Sequence, residues 1–334
     1  MVPEETSNWP VFDYNMTLLY VVFHNFELNK DAYECSKNET THVFHTLRGS
    51  YYLTTGMLIL ILYTICLIAI IKSDQIRTPA YKTMIFLGIC DICSTFVHSI
   101  TTGIFGIMGV VYCDFPLVIF ILGSLGLGSW MGCCVSSIVL AVIRAGDVDS
   151  NRWIMRIFDG LKIYIVLGIC LAYFLITIFL VKPVVFNENY SSWFTDPGLG
   201  HDPALYKNSL IAFNNFAVAI CTIVFYGYIS YVYLKKSKSG NSSTKLTKSQ
   251  LSILLQTFFF CFFHAVTSLI YVYMDIFQVY DMLIFIAHFG WQCSSGAVCV
   301  VYLTLNNSIR QTVKKLFCTP PVSTVPSNMF TVVI

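Results

Sequence analysis

Seven stretches of this chain carry almost no charge, and each is long enough to cross a bilayer as a helix. They run 51–71, 84–108, 117–142, 163–181, 210–234, 251–274 and 282–305. About 20 residues rising 1.5 Å each cover roughly 30 Å of hydrocarbon. Across all seven stretches the one formal charge is Asp91. Over the 334 residues 11% are charged, where an ordinary soluble domain has roughly 25%. Lipid offers no partners to a backbone N–H or C=O, so each stretch must satisfy its own, which a helix does. The pattern predicts an all-α membrane protein, a seven-transmembrane helix bundle.

Its orientation follows from the basic residues. With the N-terminus outside, the segments 72–83, 143–162, 235–250 and 306–334 fall inside and hold 15 lysines and arginines, against 5 outside. Cytosolic loops carry that excess. Residues 1–50 then form an extracellular N-terminal segment, 51–305 the bundle, and 306–334 a cytosolic surface helix and tail. The chain opens on acidic rather than basic residues, so no cleavable signal peptide is expected and the first span serves as its own insertion signal. Three glycosylation acceptors, Asn15, Asn38 and Asn189, fall outside; Asn241 and Asn306 match the pattern but fall inside, where they stay bare. The outside loop 182–209 carries "NYSSWFTDPGLGHDP", whose Asp-Pro steps read as turns. After the last span, Ile309, Val313, Leu316 and Phe317 share one helical face, with Arg310, Lys314 and Lys315 placed to meet anionic headgroups. Cys318 follows as a palmitoylation candidate or a free thiol.

Polar residues inside the spans form stripes at helical spacing. The second span has Asp91, Ser94, Thr95, His98 and Thr102. The sixth has Gln256, His264, Ser268, Tyr271 and Asp275, and the seventh has His288, Trp291, Gln292, Ser295, Cys299 and Tyr302. Such faces meet in the interior, either as hydrogen-bonded glue between helices or around a ligand cavity. In the cavity reading the lining falls to Asn214, Tyr271, His288, Trp291 and Gln292, which face inward in the outer halves of the last three spans. In "GSLGLGSWMG", Gly128 and Gly132 make a small-xxx-small pair for close helix approach. Asp91 must be hydrogen-bonded or paired with a cation, as a structural or a switching residue. Arg144 ends the third span as a snorkelling arginine or a coupling contact. His98, His264 and His288 lie on three helices and read as satisfied interior residues, so no metal is expected. No lysine occurs in 282–305, which removes a Schiff-base chromophore. No nucleophile elbow or phosphate loop is present, and nothing calls for an enzyme, a cofactor or a nucleic-acid partner.

The residue patterns resemble the nematode serpentine receptors of class T, a chemoreceptor family of the G-protein-coupled kind. The family's last span reads Trp-Gln-x-x-His-Gly-x-Pro and then Tyr-Leu-x-Leu-Asn-x-x-Ile-Arg. Here stand Trp291, Gln292, Gly296, Tyr302, Leu303, Leu305, Asn306, Ile309 and Arg310. Tyr206, Asn208, Asn214 and Asn215 match the family's fifth span, and Gln256, Tyr271, Val272 and Met274 its sixth. The resemblance covers roughly 77–317. Ser295 replaces the family's His and Val298 its Pro, and Arg144 lies between Ile143 and Ala145 with no acid before it. The resemblance implies a small-molecule ligand within the bundle, a heterotrimeric G protein as partner, and Asp91, Arg144 and Tyr302 as switch or coupling residues. It also implies the plasma membrane, and within it the cilia of sensory neurons. Two rivals remain open: a transporter or ligand-gated channel, and a non-signalling chaperone or co-receptor.

Of the 13 cysteines, topology leaves Cys35 and Cys113 on the oxidising side. Many receptors tie the top of the third span to the second outside loop, but 182–209 has no cysteine. A Cys35–Cys113 disulfide is expected, with two free or intermolecular cysteines as the alternative; it would pin the N-terminal segment over the bundle mouth, in a position to form a lid.

Overall fold

A computed structural model of the chain describes residues 13–35, 42–149, 152–238, 248–277 and 280–317. Seven helices are long and apolar enough to cross a membrane: Thr46–Ile71, Pro79–Met108, Pro116–Asp147, Lys162–Leu180, Ser209–Val232, Leu254–Met274 and Asp281–Leu305. They are the first to seventh spans below. The third, fifth and sixth helices run on towards the inner side, as Pro116–Asp149, Ser209–Lys238 and Lys248–Ile276.

Local chemistry sets the details. The second span starts where the Thr78 hydroxyl accepts from the Tyr81 amide and Pro79 takes the first helical position, both ordinary helix-start devices. Midway it loosens into a π-helical stretch, Phe96–Thr101, and the Thr102 hydroxyl donates to the Val97 carbonyl at 3.0 Å. Such a bulge re-aims side chains and recurs at functional positions; here it carries His98 and Ser99. The small-xxx-small pair packs as its spacing suggests. A Cβ on Gly128 would lie 2.3 Å from Ile178 Cγ1, and one on Gly132 2.7 Å from Cys90 Sγ, so the third span touches both the second and the fourth.

The polar stripes turn inward. Asp91, His98, His264, His288 and Ser295 are fully buried, whereas Ile165 and Ile223 are 65% and 71% exposed towards the lipid side. Two large apolar layers and a smaller cluster around Tyr226, Ile229 and Cys261 fill the bundle. The outer one gathers Phe120, Trp130, Phe186, Trp193 and Trp291, and the inner one gathers Tyr63, Leu87, Phe260 and Tyr302. Past the seventh span, helix Asn307–Phe317 buries Ile309 and packs Val313 and Leu316 on the inner layer. Phe317 is exposed, as a residue dipping into the leaflet would be.

Outside, the cystine joins Cys35 to Cys113. The lid expectation is corrected, however. Helices Leu18–Phe23 and Lys30–Tyr33 bury Met16, Leu18, Val21 and Tyr33 beside the third and fourth spans. Tyr33 meets Phe120 edge-on at 5.1 Å, and the Tyr206 hydroxyl donates to the Ala32 carbonyl. Burial pushes the Tyr33 phenol well above its ordinary range and Tyr206 up to about 12, so both stay neutral. Lys182 donates to the Leu205 carbonyl at 2.7 Å, and burial lowers its pKa against the opposing pull of Asp13. The apolar run at 16–23 thus has its own wall to lie on. What covers the bundle mouth is the loop 182–209, as an antiparallel hairpin of β1 (Val185–Asn187) and β2 (Ser192–Phe194) with Phe186 opposite Trp193. Asn15 and Asn189 are exposed on this outer side; Asn38 and Cys318 fall outside the described residues.

Candidate functional site

Beneath the hairpin lies a cavity of about 130 Å³. Trp130 from the third span, Asn215 from the fifth, Tyr271 from the sixth and Trp291 from the seventh form its walls, and Trp193 and Phe194 of β2 close it from above. The rings meet at angles: Trp130 and Trp291 centroids are 6.0 Å apart, Tyr271 and Trp291 6.3 Å, both edge-to-face. Each indole N–H already has a protein acceptor. Trp130 donates to Asn215 Oδ1 at 3.0 Å, Trp291 to Ser94 Oγ at 2.9 Å, and Trp193 to Thr102 Oγ1 at 2.7 Å. A ligand therefore meets mostly ring faces and aliphatic edges, with Thr195, Asn215 and Tyr271 supplying the polar atoms of the lining. Among the described residues, no charged side chain lines it.

Of the five residues expected to line the cavity, Tyr271 and Trp291 do so; the other three support it from the next layer. Asn214 accepts from the Tyr173 hydroxyl at 3.1 Å and so faces the fourth span, because neighbours on a helix point about 100° apart. His288 and Gln292 face the first two spans. His288 Nε2 donates to the His98 carbonyl at 2.7 Å, which fixes the tautomer and leaves Nδ1 to accept from Ser192 Oγ at 3.2 Å. Gln292 Nε2 donates to Ser99 Oγ at 2.7 Å and Thr55 Oγ1 at 3.3 Å. These bonds fasten the hairpin and the π stretch to the seventh span.

One layer deeper, Asp91 accepts from the Tyr63 hydroxyl at 2.5 Å and from Cys133 Sγ at 3.2 Å, which answers the demand for partners on a buried carboxylate. Tyr302, fully buried, packs edge-on to Phe260 at 5.1 Å and to Tyr63 at 6.4 Å. On the inner side a cleft of about 570 Å³ opens, lined by Tyr81, Arg144, Asp147, Asn306 and Arg310 among others. Arg144, 9% exposed, pairs with Asp147 at 3.0 Å. Asn306 accepts from the Tyr81 hydroxyl at 3.1 Å and donates to Gln256 Oε1 at 3.2 Å, joining the second, sixth and seventh helices.

The family model described as "Serpentine type 7TM GPCR chemoreceptor Srt" matches residues 16–325. The chain belongs to that family. A curated relative, "Serpentine receptor class T-55" of Caenorhabditis elegans, is 24% identical over 311 residues, covering 91% of this chain and 84% of the relative. Among solved structures, squid rhodopsin aligns with a TM-score of 0.58 over 82% of this chain and 85% of that one, at 12% identity, a likeness of fold. The receptor is thus a multi-pass membrane protein of a chemosensory, G-protein-coupled family, a receptor family rather than an enzyme family. Neither family nor fold favours a transporter, a channel or a co-receptor.

Of the eleven residues that line this Srt receptor's cavity, Tyr271 and Trp291 alone were among those expected there. Trp130 stands in a segment whose glycines carry the stronger signal, and Trp193 in one whose Asp-Pro turns do. Their shared signal was a lone tryptophan in each otherwise small or polar run. Asp147 lies outside a motif that puts the acid before the arginine, yet i and i+3 share one helical face.

Proposed function

We propose that this Srt receptor detects a small, neutral, mostly apolar molecule in the cavity under the hairpin and signals to a heterotrimeric G protein through the inner cleft. One observation carries the ligand class: the cavity is walled by aromatic faces whose indole N–H groups are already bonded, with no charge among the described lining. A charged ligand would lose its hydration there without a counter-ion. Its volume suits one ring or a short chain, since an engineered apolar cavity of roughly 150 Å³ binds benzene.

In this reading Tyr271 and Trp291 touch the ligand with Trp130 and Asn215, and Asn214, His288 and Gln292 hold the wall. Asp91, Tyr302 and Arg144 lie on the path inward. Trp130 stacks on His264 at 5.5 Å, and Trp291 bonds Ser94 one turn from Asp91. A ligand that shifts either indole therefore presses on the middle layer, and it activates to the extent that it binds the open-faced state better. The receptor works at the plasma membrane, with cilia of sensory neurons as the compartment the family implies. Asn15, Asn38 and Asn189 carry glycans, and Cys318 a palmitoyl chain, on the side of the membrane where each falls.

The test is a panel of neutral, acidic and cationic small molecules on cells expressing the receptor, with G-protein activation and membrane current read together. Activation by neutral apolar members without current is expected. Activation by charged members alone, or current without G-protein activation, refutes the proposal.

A further inference from the structure

Below the cavity floor, three chemically unlike side chains converge in the bundle interior. Asp91, Cys133 and His264, from the second, third and sixth spans, are all buried, and each offers a ligand atom within 4.8 Å of the other two. His264 Nδ1 lies 2.9 Å from the Phe260 carbonyl, an acceptor, so Nδ1 carries the proton. That leaves Nε2 with a free lone pair, buried and without a partner. A ring held by one nitrogen on a backbone carbonyl, the other presented bare, is how metal-ligating histidines are oriented. Cys133 Sγ and Asp91 Oδ1 are already 3.2 Å apart. Ligands on a tetrahedral zinc, at about 2.0–2.3 Å from the metal, stand roughly 3.5 Å from one another. The Ser295 hydroxyl, also fully buried, is directed at the Asp91 carboxylate.

We propose that Asp91, Cys133 and His264 bind a zinc-like divalent ion that ties the sixth span to the second and third, with Ser295 or a water in the fourth position. The donor set chooses the ion. Thiol sulfur and imidazole nitrogen suit zinc, whereas sodium, magnesium and calcium want oxygens. Charge agrees: on binding, the Cys133 thiol proton and any proton held on Asp91 leave to solvent, and thiolate plus carboxylate balance the two positive charges. The site is then neutral where an unbalanced charge is costly. A metal that needs three spans together disfavours any state in which the sixth moves away. It therefore lowers agonist-driven signalling while stabilising the resting fold.

The test uses purified, chelator-stripped receptor in lipid nanodiscs. Zinc is expected to raise the unfolding temperature with one-to-one stoichiometry. Cobalt is expected to give the charge-transfer absorption of a thiolate ligand together with tetrahedral d–d bands. Cys133→Ser should remove the charge-transfer absorption. His264→Gln should weaken binding by more than about 100-fold, beyond what losing an outer-shell partner costs. Should both variants fail to fold, the cobalt spectrum of the unmutated receptor still decides, because it needs a thiolate. No thiolate absorption, a stabilisation by sodium but not zinc, or zinc binding unchanged in both variants overturns the proposal; the last would place the metal on outside histidines such as His42 and His45.

Discussion

Arg144 finds its counter-ion one helical turn later, at Asp147, rather than at the residue before it. The pair is partly solvated, the aspartate side chain being 41% exposed, so its worth is roughly 0.5–1 kcal/mol. Removing the acid frees the arginine for the inner cleft. Asp147→Asn is expected to raise basal G-protein activity about two- to fivefold, the range that energy sets; an unchanged baseline at matched surface level would contradict the restraint. Arg144→Ala should abolish signalling with surface expression largely intact, and normal agonist responses in that variant would remove Arg144 from the coupling face. The aromatic wall makes a second demand at this scale. Among Asn214, Tyr271, His288, Trp291 and Gln292, at least two substitutions should shift agonist potency more than tenfold, with Tyr271 and Trp291 the largest because they face the cavity. Five unchanged dose–response curves would reduce all of them to packing residues.

At the scale of elements, the spans were legible because length and lack of charge are enough to define them. The first helix starts at Thr46, ahead of its apolar window, because polar residues can continue a helix that lipid no longer constrains. The π stretch at 96–101 was not legible: a shift in backbone bonding leaves no composition signal. Nor was the hairpin, whose Trp193 bonds Thr102 of the second span, a contact that no local pattern encodes. The cystine was legible by topology alone, but its consequence was not. It closes a separation of 78 residues, for which the chain-entropy model gives about 4.5 kcal/mol. Cys35→Ser should therefore lower thermal stability markedly while leaving agonist potency within a few-fold, because the segment it anchors lies beside the cavity. A large loss of potency with unchanged stability would restore the N-terminal segment as the lid. Peptide mass spectrometry without reductant checks the bond itself: both cysteines alkylating freely would exclude it.

For the whole molecule, two openings face opposite sides of the membrane, with the layer of Tyr63, Asp91, Cys133 and His264 between them. That division was readable in outline from stripes that turned inward. Which side chain met which was not, since a sequence fixes a residue's angle on its own helix but not the rotation of one helix against the next. Asn214 and Asn215 show the cost, one bonded towards the fourth span and the other on the cavity wall. The central claim, that agonist occupies the cavity under the hairpin, is tested most directly by filling it. Ile211 lines the cavity, whereas Ile223 on the same helix is 71% exposed towards lipid. The measurement is agonist concentration–response for Ile211→Trp and Ile223→Trp at equal surface level. The account predicts that Ile211→Trp loses potency by more than tenfold or falls silent and that Ile223→Trp follows the unmutated receptor. Superimposable curves for Ile211→Trp and the unmutated receptor would contradict it.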